Sequence, residues 1–218
     1  MKIDVTVSQL LVSRLCHDLV GPAGAVSAGL ELMAESGGGA DAGAQALVEK
    51  SAGQLSARLA FFRVAFGFAG AGNGPEALRA VREIALEWLA GGKIELEWPE
   101  GEADDIATGL MGGGEKVLLN MILVASESLP KGGVIGVQLG ALAEGTGIAV
   151  SACGDSVGLK EDLIRSMSKD IGVEELSAHN VHGYFAQCLA RQCGGSIEVE
   201  QTGAEEVRLA VLISGTQA

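Results

Sequence analysis

The chain has 218 residues, a formal net charge of −13 and a sequence pI of about 4.6. Such a chain repels a polyanionic nucleic acid, and no basic cluster offsets the charge, so we expect no nucleic-acid partner. Residues 1–15 lack the features of a signal peptide, and no apolar run approaches the length of a bilayer span. We therefore expect a cytoplasmic protein without membrane contact, built as one large domain or two small ones.

The first predicted helix carries an unusual stretch, Leu15-Cys16-His17-Asp18-Leu19-Val20-Gly21-Pro22. Apolar residues recur around it in steps of three and four, which predicts an amphipathic helix that begins near Thr6 and ends at residues 36–39. His17 lies roughly 180° from the mean direction of that apolar stripe, so it should face outward. The stripe consists of Leu11, Leu15, Leu19, Pro22, Val26, Leu30 and Met33.

Small residues follow His17 on the same helical face. Gly21 and Gly24 lie one and two turns after it, with Arg14 on the preceding turn. Such positions let another protein's backbone approach the imidazole ring, so we expect Arg14, Gly21, Pro22 and Gly24 to support or dock a partner. Pro22 should also kink the helix just after the histidine. The plain alternative is a surface histidine on an ordinary helix.

A second amphipathic helix is predicted over residues 41–68, joined to the first by a short Gly-rich turn. Two helices alone cannot bury both apolar stripes, so the pattern favours a homodimer in which two hairpins form a four-helix bundle. Arg58 falls on the second stripe, opposite residues 18–19, and we expect it to pair with Asp18 in the hairpin or across the dimer. The alternative is that Arg58 points into water.

Helices and strands alternate after a Gly-rich linker at residues 69–74, where we place the boundary between a hairpin domain (1–70) and a second domain (75–218). The pattern predicts a layer of helices on a mixed, mostly antiparallel sheet. Its predicted helices cover residues 76–89, 115–129, 160–167 and 178–193, and its predicted strands cover 93–98, 134–142, 147–152, 196–201 and 206–213.

His17-Asp18-Leu19-Val20-Gly21-Pro22, followed by a hairpin and an α/β sandwich, resembles the phosphoacceptor core of bacterial sensor histidine kinases. The resemblance implies an α+β fold: a hairpin that forms a dimeric four-helix bundle, then a degenerate GHKL-type ATPase sandwich. The kinases carry two asparagines where this chain has Asn120 and Val124, and an adenine-reading aspartate where it has Gly154. Asp155 stands one residue away from that position, and only Gly183 remains of the lid motif.

A kinase-like chain without nucleotide residues resembles the ChpT-type histidine phosphotransferases, as does Phe61-Phe62-Arg63-Val64-Ala65-Phe66-Gly67. This resemblance implies that His17 is the phosphoacceptor, that Asp18 assists it, and that the chain needs no cofactor or metal of its own. Mg²⁺ would come from the partner receiver domain. The implied partners are a CckA-like hybrid-kinase receiver and CtrA-like and CpdR-like response regulators, with a role in cell cycle regulation.

Two other functions remain open. A divergent GHKL-type kinase or ATPase would use Asn120 and Asp155, and the missing second asparagine argues against it. A non-catalytic dimeric docking protein would not need the His-Asp-x-x-x-Pro box, and the presence of that box argues against it. Asp18 either holds one ring nitrogen of His17 or is an ordinary solvated or paired acid.

Overall fold

The computed structural model describes residues 4–35, 42–68, 72, 74–98, 110 and 113–214. The predicted turn at 36–39 lies outside the described residues, as does most of the predicted linker at 69–74. The described chain begins with two long helices and continues as a mixed arrangement of helices and strands. Among the described residues, no helix combines the length and apolar character that a bilayer crossing requires.

The hairpin consists of helix α1 (Val5–Glu35) and helix α2 (Ala42–Ala65). The predicted start of α1 is confirmed to within one residue, but the cap is Asp4, whose side chain accepts a hydrogen bond from the Thr6 N–H at 2.7 Å. Helix α1 continues through Pro22. Helix α2 ends at Ala65, earlier than the predicted residue 68, because the chain turns there.

The rest of the described chain matches the predicted order of elements. One boundary moves clearly: the helix expected from residue 178 begins at Val181, because the Ser177 N–H donates to the Asn180 side chain at 2.7 Å and forms a turn. The helices are α3 (Pro75–Leu89), α4 (Gly114–Glu127), α5 (Glu161–Ser166) and α6 (Val181–Gln192), with a short 3₁₀ turn at Val173–Glu175. The strands are β1 (Ile94–Glu97), β2 (Gly133–Leu142), β3 (Gly145–Cys153), β4 (Glu198–Thr202) and β5 (Glu206–Ile213).

The five strands form one sheet in the order β1-β2-β3-β5-β4. Strand β1 runs parallel to β2 and the other pairs are antiparallel, which confirms the predicted mixed sheet. Strands β2, β3 and β5 alternate between buried and more exposed residues, as strands with one covered face do. Helix α4 covers the buried face, and all its residues from 117 to 125 are buried.

Two apolar clusters join the hairpin to the sandwich. The larger one runs from the end of α2 into α4 and the sheet, and Phe61 of α2 stacks on Trp88 of α3 with ring centroids 4.3 Å apart. The smaller one packs Val7 of α1 against Leu176 and Val181 at the start of α6. The hairpin is therefore anchored on the sandwich through both of its helices, while its description as a separate domain stays a prediction.

Polar side chains of α4 also hold the end of α2. The buried Asn120 amide donates to the Ala65 carbonyl at 2.9 Å and to the Lys116 carbonyl at 2.8 Å. The Lys116 ammonium donates to the carbonyls of Gly67 and Phe68 at 2.8 and 2.7 Å. Carbonyls at the end of a helix lack intrahelical donors, so the Asn120 bond satisfies the last carbonyl of α2, and the Lys116 bonds hold the two residues of the turn that follows.

We expect Asn120→Ala to lower the free energy of unfolding by about 1–3 kcal/mol, because it leaves the Ala65 carbonyl without its buried donor. Chemical denaturation followed by far-ultraviolet circular dichroism measures this. Gln45→Ala is the matched control, since it removes an exposed amide that bonds to Glu49, and should change stability by less than about 0.5 kcal/mol. Equal stabilities for the two variants would contradict the role of Asn120.

Candidate functional site

His17 projects from the middle of α1 into solvent, with 72% of its side chain exposed. This confirms the outward direction expected from the helical pattern. The ring of His179, which precedes α6, lies edge-on to it with centroids 6.1 Å apart. The sandwich therefore reaches to the immediate neighbourhood of this histidine without covering it.

Asp18 is the polar partner of the His17 ring. Its Oδ1 lies 3.2 Å from His17 Nδ1, and its side chain is only 17% exposed. An ionised carboxylate only accepts hydrogen bonds, so Nδ1 carries the ring proton in this contact. The lone pair of Nε2 is then free, and Nε2 is the nitrogen of this arrangement that can act as a nucleophile.

The second oxygen of Asp18 is held by Arg14, one turn earlier on α1. Arg14 Nε donates to Asp18 Oδ2 at 2.8 Å, and Arg14 Nη2 donates to Glu127 at the end of α4 at 2.5 Å. Burial lowers the pKa of Arg14, but the carboxylates of Glu127 and Asp18 outweigh it, so the pKa lies above its ordinary value. Arg14 is 12% exposed and fully engaged, which fits the supporting role predicted for it and leaves little for docking.

His182 in the first turn of α6 is the third partner of Arg14. Its Nδ1 lies 3.2 Å from Arg14 Nη1, and the ring is completely buried. Burial, with the nearby Arg14 cation, lowers the pKa of His182 to about 3. The ring is therefore neutral, and Nδ1 accepts from Arg14 while Nε2 carries the proton. Nε2 lies 3.3 Å from Glu127 Oε1, without the alignment of a hydrogen bond.

Glu127 and His182 are the site residues that the sequence analysis missed. Glu127 ends a helix whose residues 117–125 are apolar except for Asn120, and His182 lies in the buried part of α6. A charged or titratable residue in such a setting signals that a partner is needed, but the sequence does not say which one.

Arg58 lies beside Asp18, as the hairpin register predicted, but it binds the backbone of Asp18 and not its carboxylate. Arg58 Nη1 donates to the backbone carbonyl of Asp18 at 2.6 Å. The expected ion pair within the hairpin is wrong, because the Asp18 carboxylate is already occupied by Arg14 and His17. Arg58 thus holds the backbone of the helical turn that presents His17. A pair across a dimer stays a prediction.

Gly21 and Gly24 lie on an open surface. A Cβ atom built on either of them meets nothing within 4 Å, so neither glycine is required by packing inside the chain. Their expected role in docking, with that of Pro22, stays a prediction that this open surface permits.

Three of the positions compared with nucleotide-binding residues of kinases either make contacts within the fold or leave no space for a larger side chain. The Asn120 Nδ2 donates to two carbonyls, while its Oδ1 is buried and finds no hydrogen-bond partner among the described residues, and Val124 is fully buried in the core. A Cβ atom on Gly154 would lie 2.8 Å from the Gly132 carbonyl oxygen, closer than a side chain tolerates. Asp155 is exposed.

Comparison with known proteins gives consistent matches. A family model described as the histidine phosphotransferase C-terminal domain matches residues 78–205. The protein phosphotransferase ChpT of Brucella abortus (strain 2308) is 34% identical over 212 residues, covering 95% of this chain and 98% of the relative. A solved bacterial phosphotransferase aligns with a TM-score of 0.80 at 30% identity, covering 97% of this chain and 98% of that one.

The family model covers more than half of the chain, and the ChpT relative and the solved phosphotransferase span nearly all of it. The resemblance drawn from the box around His17 is thereby confirmed at the level of the family. The chain belongs to the histidine phosphotransferase family.

Proposed function

We propose that this histidine phosphotransferase serves a two-component phosphorelay in the cytoplasm, with His17 as the residue that carries the phosphoryl group. The observation that carries this proposal is the exposed His17 ring whose Nδ1 is engaged by Asp18, leaving Nε2 free. A relay histidine must enter the active site of another protein, so exposure is a requirement of the reaction.

The transfer begins when Nε2 of His17 attacks the phosphorus of an aspartyl phosphate on a receiver domain. A nitrogen–phosphorus bond forms, the bond between phosphorus and the aspartyl oxygen breaks, and the receiver carboxylate leaves with the electron pair. The ring gains positive charge while Nδ1 keeps its proton, and the adjacent Asp18 carboxylate stabilises that charge. Passing the phosphoryl group to a second receiver is the reverse reaction.

The partner supplies what this chain lacks for the reaction. Phosphoryl transfer depends on in-line positioning and on neutralising charge at the phosphoryl oxygens. In our proposal the receiver provides its Mg²⁺ and its lysine, while this chain provides the nucleophile and the open surface at Gly21 and Gly24. From the family resemblance we propose a CckA-like receiver as donor and CtrA-like and CpdR-like regulators as acceptors, which would place the relay in cell cycle regulation.

The chain does not use a nucleotide in this proposal. Support comes from the Asn120 Nδ2, which donates to two backbone carbonyls, from the buried Val124, and from the lack of space for a side chain at residue 154. A hydrophobic valine cannot ligate Mg²⁺, which prefers oxygen ligands.

We also propose that the chain is a homodimer through its hairpin. Leu30 belongs to the predicted apolar stripe of α1, and Leu59 is an apolar residue of α2, yet each is about half exposed in the single chain. A second hairpin packed on these helices would cover them, as in a four-helix bundle.

The first prediction is that His17→Ala folds but carries no phosphoryl group after mixing with a phosphorylated receiver, because it lacks the nucleophile. The measurement is acid-labile, alkali-stable radiolabel on the chain. His179→Ala is the matched control, since it removes the neighbouring exposed ring and should leave label on His17. Label on His179 in the His17 variant would refute the assignment.

The second prediction is that isothermal titration calorimetry with Mg·ATP gives no heat above the buffer background. Saturable binding in the micromolar range would contradict it. In that case the Asp155→Asn variant would be titrated as well. Loss of Mg·ATP binding in this variant would show that the exposed Asp155 takes the place of the missing adenine-reading residue.

The third prediction concerns assembly. Leu59→Glu should convert a dimer to a monomer in sedimentation velocity at micromolar concentration, because it places a charge in the apolar interface. Leu212→Glu is the control, since Leu212 is an exposed leucine on the side of β5 that faces away from the buried face of the sheet, and this variant should stay dimeric. A monomeric parent chain at that concentration would show that the hairpin does not dimerise.

A further inference from the structure

Arg14 is the side chain through which the sandwich contacts the immediate support of His17. All three nitrogens of its guanidinium are engaged. Nε binds Asp18 on the same helix, Nη2 binds Glu127 at the end of α4, and Nη1 contacts His182 at the start of α6. A planar group whose nitrogens are all held by separate residues has a single orientation.

The cluster is mostly shielded from water. The side chains of Arg14 and Asp18 are 12% and 17% exposed, Glu127 is 26% exposed and His182 is fully buried. Two carboxylates face one guanidinium, and the neutral His182 ring adds an acceptor without adding charge. A partly buried cation with this many partners is held far more firmly than one on an open helix surface.

The contact between Asp18 and His17 needs such support. Adjacent residues of a helix project about 100° apart, so the Asp18 side chain must be held in one rotamer to reach the neighbouring ring. An exposed ion pair between residues four apart changes the helix–coil equilibrium by only about twofold. Such a weak interaction does not hold the Asp18 side chain in one rotamer. The additional hold comes from Glu127 and His182, which keep Arg14 in place.

We propose that Arg14 is a positioning residue through which the sandwich sets the tautomer and direction of the His17 ring. This inference rests on the proposed function of His17. Glu127 and His182 fix the guanidinium, the guanidinium fixes Oδ2 of Asp18, and Asp18 thereby presents Oδ1 to Nδ1 of His17. A sandwich without a nucleotide role thus takes part in preparing the nucleophile.

The same contacts have a simpler explanation, that they merely attach α1 to the sandwich. The two explanations differ in what they predict for the His17 ring. A purely structural attachment predicts lower stability with an unchanged ring when it is weakened. A positioning role predicts that the ring changes while the fold persists.

The experiment uses the full chain with two substitutions. Arg14→Met keeps the apolar stem and removes the guanidinium, while Glu127→Gln leaves Arg14 in place and removes one carboxylate that holds it. Arg165→Met is the matched control, because it removes a guanidinium of the sandwich that pairs with Glu175 instead of with the support of His17. Circular dichroism and thermal unfolding confirm that each variant is folded.

Two quantities are measured for each variant. Nitrogen-15 NMR of the His17 ring gives the fraction of molecules whose proton lies on Nδ1, and needs no partner. Single-turnover transfer from a phosphorylated receiver gives the rate at saturation and the half-saturating receiver concentration. We expect Arg14→Met to move the His17 tautomer ratio toward Nε2–H and to lower the saturated transfer rate about tenfold relative to the parent chain. Glu127→Gln should lower that rate about threefold relative to the parent chain.

The half-saturating receiver concentration should not change, because the Arg14 side chain is too buried to meet a partner. Arg165→Met should match the parent chain in every quantity. An unchanged tautomer ratio and an unchanged saturated rate in Glu127→Gln overturn the proposal, and this variant decides the matter if Arg14→Met does not fold. If the parent chain accepts no phosphoryl group, the proposed function fails, while the tautomer measurement still tests the positioning role.

Discussion

The charge of Arg14 is the constraint on which the arrangement of the site depends. A guanidinium that is 12% exposed needs carboxylate partners, and here they come from its own helix and from the end of α4. The two apolar clusters supply most of the free energy that holds the hairpin on the sandwich, since the burial of apolar surface is the main driving force of folding. The ion pairs add direction, because Arg14 must lie where it reaches both Asp18 and Glu127.

Several residues of the sandwich at positions that resemble nucleotide-binding residues of kinases have structural contacts. At the positions that resemble nucleotide-binding residues of kinases, this chain has groups that bind its own backbone or leave no space. Asn120 donates to the end of α2, and Gly154 packs beside the Gly132 carbonyl. These contacts hold the hairpin on α4 and bring neighbouring loops of the sheet together.

The proposed site consists of few residues because the proposed reaction requires few groups from this chain. Phosphoryl transfer between a receiver aspartate and a histidine needs an accessible nucleophile with the right nitrogen free, and charge neutralisation that the partner can bring. In our proposal the chain meets this need with the exposed His17 ring, the Asp18 carboxylate against Nδ1, and the open surface at the following glycines. Because Asp18 contacts the ring at Nδ1, the opposite nitrogen Nε2 stays accessible to a partner.

Local sequence patterns were enough to predict the order of the helices and strands and the outward direction of His17, while the family followed from the resemblance of the box around His17. The steps of three and four in α1 and the alternation in the strands depend on neighbouring residues only. The hairpin register was also predictable, and it placed Arg58 beside Asp18. Which atoms meet was settled by the packing of the whole chain. The Asp18 carboxylate binds Arg14, which stands four residues before it on the same helix, a spacing that the sequence already shows. That Arg14 also reaches Glu127 and His182 was decided by the tertiary structure, because contacts between residues more than a hundred positions apart depend on how the helices pack.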